Sequence, residues 1–111
     1  MVKLFIDDER DPPRPLKGVD MDWVIVRTYD EAIQYFSNNP CPEFCSFDND
    51  LGIGKEGADI AKWLIDYDLD HDGHYIPNDF QYYVHSQNPV RREYINKTLE
   101  NYLKFKRKCK I

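Results

Sequence analysis

An α/β fold built on a parallel sheet of about four strands is predicted by three features of this 111-residue sequence. Four short runs rich in apolar and aromatic residues, 3–6, 23–27, 44–47 and 80–84, read as strands. The stretches after the second, third and fourth runs carry apolar residues at helical spacing. Strands that alternate with helices need crossover connections, which are nearly always right-handed and give parallel pairing.

The first run stops at Asp7-Asp8, and Pro12, Pro13 and Pro15 exclude regular helix before Trp23, so a strand and a long loop are expected there. After the second run, Thr28-x-x-Glu31 forms a capping-box pattern that opens an amphipathic segment with Ala32, Ile33 and Phe36. Asn38-Asn39-Pro40 closes it. The third strand ends in Asp48-Asn49-Asp50-Leu51-Gly52, and residues 58–67 form the next helix, with Ile60, Ala61, Leu64 and Ile65 as its apolar stripe. A polar loop is expected over 68–79. The fourth strand ends at His85-Ser86, after which Asn88 suits a helix N-cap, Pro89 its first position, and Ile95, Leu99, Tyr102 and Leu103 its buried face.

Length and composition fit one domain over residues 1–111, with 41% hydrophobic and 14% aromatic residues to fill a core and 32% charged residues to solvate it. No stretch is apolar for the roughly 18 to 20 residues that a membrane span needs, and the N-terminus lacks a signal-peptide profile, so a cytoplasmic protein is expected. Cys41, Cys45 and Cys109 match neither a disulfide framework nor a four-cysteine zinc site and read as reduced thiols. A net charge of −5 argues against general duplex binding. The basic run of Lys104, Lys106, Arg107, Lys108 and Lys110 reads as a solvated helix end that complements the dipole.

In an open parallel sheet, ligands bind outside the carboxyl ends of the strands. Asp7-Asp8, Asp48-Asn49-Asp50 and His85-Ser86 all fall there. Hydrolysis of a phosphodiester calls for a divalent ion to offset phosphoryl charge and acidify a water, and carboxylate oxygens suit Mg²⁺ or Mn²⁺. Asp8 and Asp48 are the expected metal ligands, with Asp7 and Asp50 completing the shell or taking a proton from the attacking water. His85, an imidazole that exchanges protons near neutral pH, is the expected donor to the leaving oxygen. Ser86, the start of the last helix and Arg91 or Arg92 are placed to hold phosphate oxygens.

Paired acids after the first strand, an acid after the third and a hydroxyl residue after the fourth resemble a response-regulator receiver, of which the chain would be a truncated, flavodoxin-like three-layer version. A prolyl loop stands in place of the first helix, and the fifth strand with its lysine has no counterpart. Asp7-Asp8-Glu9-Arg10 with Pro12-Pro13, then residues 47–52, then His85-Ser86-x-Asn88-Pro89 are together similar to the cyclic-phosphate-processing receiver-like family. The usual Gly-Arg after Asn-Pro is Val90-Arg91-Arg92 here. That resemblance implies action on the cyclic phosphate of a nucleotide or RNA end, with Arg10 joining the phosphate-binding residues. Two other readings stay open: a signalling module that accepts phosphate on Asp48, and a binder that sequesters a phosphorylated or cyclic nucleotide. Either a monomer or a dimer is compatible with the sequence.

Asp68-x-Asp70-x-Asp72-Gly73 with Asp79 imitates a calcium loop, but Pro77 interrupts it, the last ligand is Asp and a strand follows, so a solvated Asp-Gly turn is expected. Trp23 and Trp63 lie in apolar periodic segments and read as core.

Overall fold

The computed structural model describes residues 3–8, 23–48, 56–85 and 88–109. Its elements run β1 (Lys3–Ile6), β2 (Trp23–Val26), α1 (Tyr29–Asn38), β3 (Phe44–Phe47), α2 (Gly57–Asp70), β4 (Gln81–Val84) and α3 (Pro89–Cys109). All strand pairs are parallel, and the sheet order is β2-β1-β3-β4. This is the expected α/β receiver-like fold with four parallel strands. Because β2 to β3 and β3 to β4 step across the sheet in the same direction, right-handed crossovers place α1 and α2 on one side. Among the described residues the helices form a single series, α1 against α2, α2 against α3, and α3 against β4.

The in-register rows separate the two sides of the sheet. Leu4, Ile6, Val26, Cys45, Phe47 and Val84 meet Ala32, Phe36, Ile60, Ala61, Leu64, Ile95 and Leu99 in the main core. Phe5 and Ser46 are also buried, on the alternate side. There Phe5 and Phe44 each make edge contacts with Trp23, at 5.6 and 6.0 Å between ring centroids. Trp63 is half-buried and stacks on Phe36 and Tyr67. β4 is an edge strand, and its Tyr83 is 60% exposed.

The helix starts follow their local chemistry. Thr28 accepts a hydrogen bond from the Glu31 N–H, while the Glu31 carboxylate accepts from the Arg27 N–H, one residue earlier than in a standard capping box. Asn88 Oδ1 accepts from the Val90 and Arg91 N–H groups, which opens α3 as expected.

Two expectations are corrected. The loop assigned to 68–79 begins later, because α2 continues to Asp70 and closes through a bond from the Gly73 N–H to the Asp68 carbonyl, with Gly73 at φ 75°. Asp68, the first ligand of the calcium-like pattern, is wholly buried. It accepts from the Tyr75 and Ile76 N–H groups, from Tyr102 Oη at 2.5 Å, and pairs with Lys106 Nζ at 2.9 Å. It is therefore unavailable to a calcium ion. Lys106 is likewise no solvated tail residue: it is fully buried, and its ammonium also donates to the Ile76 carbonyl. It falls on the stripe of Ile95, Leu99, Tyr102 and Leu103, so helical geometry turns it inward with them. Arg107, next to it, donates to the Asn78 carbonyl from the surface.

Candidate functional site

The residues that directly follow β2, β1, β3 and β4 are, in sheet order, Arg27, Asp7, Asp48 and His85. Ladder bonds continue one step beyond the strands to seat them: Asp7 N–H donates to the Val26 carbonyl, Asp48 N–H to that of Ile6, and His85 N–H to that of Phe47. The sheet thus ends in a row of cation, carboxylate, carboxylate and imidazole. By strand alternation the row lies on the side of Phe5 and Ser46, facing away from the main core.

Three of these side chains converge. Asp7, Asp48 and His85 each offer a ligand atom, and the three atoms lie within 4.8 Å of one another. Asp7 and Asp48 are buried and His85 is partly so. His85 Nε2 is 2.9 Å from Asp7 Oδ2, and its Nδ1 is 2.7 Å from Ser46 Oγ. The ring also stacks on Phe5, with centroids 4.8 Å apart and planes 6° from parallel. A serine, a carboxylate and an aromatic face therefore fix the imidazole in position and in plane. The two carboxylates supply the oxygen ligands that suit a hard divalent cation, and the imidazole beside them supplies a nitrogen that can exchange a proton.

Asp8 is half-buried and stands outside the group of three. Arg91 lies in the first turn of α3, is exposed, and is 3.9 Å from Glu56 at the start of α2. Arg92 is exposed in the same helical turn. Arg10, Asp50 and Ser86 lie outside the described residues. Sequence reasoning missed Ser46 and Arg27. The signal for Ser46 was a lone hydroxyl in the apolar run Phe44–Phe47, two residues before Asp48. For Arg27 it was a strand-end position equivalent to those of Asp7, Asp48 and His85.

The family model of the cyclic-phosphate processing receiver domain matches residues 2–101. The chain belongs to this family. Its three motifs fall within that match, as do all four strand-end residues. The receiver-like chain also aligns with a solved structure of an adenylate cyclase from Rhodopirellula baltica, at 14% identity and a TM-score of 0.47, over 98% of this chain and 94% of that one. Among curated proteins there is no match. No described helix is long and apolar enough to cross a membrane.

Proposed function

We propose that this receiver domain hydrolyses a cyclic phosphate on a nucleotide or RNA end with the help of Mg²⁺ or Mn²⁺. The observation that carries the reading is the convergence of Asp7, Asp48 and His85 at the ends of three strands, with their ligand atoms within 4.8 Å. A fold alone does not assign chemistry, but a buried carboxylate pair beside an oriented imidazole is a reactive arrangement.

Asp48 and Asp7, with Asp8 next along the chain, would hold the ion, whose charge offsets that on the phosphoryl oxygens and acidifies a water. Ser46 holds His85 by Nδ1, which turns Nε2 toward the Asp7 carboxylate. A proton at Nε2 would be the one that His85 gives to the leaving ribose oxygen, with the Asp7 carboxylate, 2.9 Å away, holding that edge of the ring in place. Asp50 and Asp7 remain candidates for removing the proton of the attacking water. Ser86, Arg10, Arg91 and Arg92, together with the start of α3, would orient the substrate's phosphate oxygens.

The test is a panel of 2′,3′-cyclic and 3′,5′-cyclic nucleotides and cyclic-phosphate RNA ends, incubated with protein and Mg²⁺ or Mn²⁺ and resolved by chromatography. Turnover by the parent, reduced on the order of 10²-fold in His85→Ala with ligand binding retained, supports general acid catalysis. Stoichiometric retention without product would instead favour the binding role.

A further inference from the structure

We propose that Arg27 is a further phosphate-binding cation of this site, a role that rests on the cyclic-phosphate reading and adds to Arg10, Arg91 and Arg92 a cation seated in the strand-end row itself. The argument starts from charge. Asp7 and Asp48 are buried side by side at the ends of adjacent strands, so an anionic phosphodiester approaches two carboxylates. A metal offsets part of that repulsion, and a fixed protein cation offsets more.

Arg27 stands in the same row. The register pairs Ile6 with Val26, which puts Arg27 beside Asp7 at the roughly 4.8 Å spacing of neighbouring strands. By alternation it shares the side of the sheet that carries Phe5, Ser46 and His85. The residue is half-buried, and both of its ends are anchored: its main-chain N–H donates to Glu31 Oε1, and its Nη1 donates to the Asp7 carbonyl at 3.2 Å. A guanidinium carries five N–H donors in a planar fork, a geometry that matches phosphoryl oxygens bidentately. Lys106 is paired with Asp68 in the core, and Arg91 is exposed and 3.9 Å from Glu56, whereas Arg27 is seated in the strand-end row itself. Arg27 adjoins Asp7, whose carboxylate His85 Nε2 also contacts at 2.9 Å, so an anion at the strand ends would meet the guanidinium and the imidazole about the same carboxylate.

The experiment measures, by titration calorimetry in Mn²⁺, binding of cytidine 2′,3′-cyclic monophosphate and of inorganic phosphate to the parent, Arg27→Gln and Arg27→Lys. Turnover, Mn²⁺ affinity and thermal midpoint are followed in parallel. Arg27→Gln should weaken both ligands at least ten-fold while Mn²⁺ affinity, which reads the carboxylates directly, stays within about two-fold. Arg27→Lys keeps the charge but not the planar fork, and should fall between; it also serves if the Gln variant does not fold. Phosphate binding that depends on Arg27 without turnover would uphold this inference and remove hydrolysis from the function. Turnover by the parent with unchanged binding in both variants would overturn the inference and leave the function standing. A parent that binds neither ligand would overturn both.

Discussion

Ser46 Oγ lies 2.7 Å from His85 Nδ1, and this contact between β3 and the end of β4 decides which ring nitrogen faces the carboxylates. A hydroxyl can donate or accept, so it keeps the bond when the imidazole changes protonation. Ser46→Ala should therefore lower turnover, by up to roughly 10²-fold for a reactive group held less well, with substrate affinity little changed. Ser46→Thr should recover part of the loss. Long-range ¹⁵N NMR spectra of the His85 ring check the cause: the tautomer balance should move in Ser46→Ala, and an unmoved balance with parental kinetics would deny Ser46 its orienting role.

Addition of Mn²⁺ or Mg²⁺ should raise the thermal midpoint, because an ion held only by the folded strand ends stabilises by mass action, about 2.7 kcal/mol at a hundred times its Kd. Asp48→Ala should abolish the response, since it removes one of the converging ligand atoms. A flat melting curve across millimolar metal in the parent would remove the ion from the site.

Lys106 and Asp68 form an ion pair with neither side chain exposed. Removing one partner strands the other in the core, so Lys106→Met should cost about 3–5 kcal/mol in urea unfolding. The double change Lys106→Met with Asp68→Leu should recover only part of this. It discharges the core but leaves the Tyr75 and Ile76 N–H groups and the Tyr102 hydroxyl without their acceptor.

The same pair gives the fold a defined acid sensitivity. Burial alone would raise the Asp68 carboxyl, but hydrogen bonds from Tyr102, the Ile76 N–H and Lys106, with the Lys106 charge, outweigh it and hold the group below the ordinary aspartate value. A carboxyl depressed in the folded state stabilises it fully above the unfolded value of about 3.9, and the contribution is lost as pH falls through the folded value. Unfolding free energy should thus decline below about pH 4. The decline should be shallower in the double variant, which lacks this carboxyl. Equal slopes in the two proteins would assign the acid transition to other groups.

Burial pushes the Cys41 thiol up to about 12, with the Asp68 charge adding to it against Lys106, and burial also raises that of Cys45 well above the ordinary thiol value. Both should therefore react slowly with iodoacetamide at pH 8 in the native protein and readily in urea, as peptide mapping would show. Fast native alkylation at Cys45 would mean that β3 opens on that timescale.

The sequence by itself determined the elements and the edge at which chemistry gathers. Apolar runs of four residues, a capping threonine before α1, and Asn88-Pro89 before α3 are local signals, and local signals survive without knowledge of the fold. Acids and a histidine at the ends of separate strands point to one edge because parallel pairing aligns those ends. Only the tertiary structure decided which groups meet. Register set Arg27 beside Asp7 and brought Ser46 beneath His85, 39 residues away in sequence. Packing of α3 on α2 turned Lys106 from a member of a basic tail into the buried partner of Asp68. A charged side chain reads as solvated until a partner 38 residues earlier is placed within 2.9 Å, and such placement is a property of strand order and helix docking rather than of local pattern.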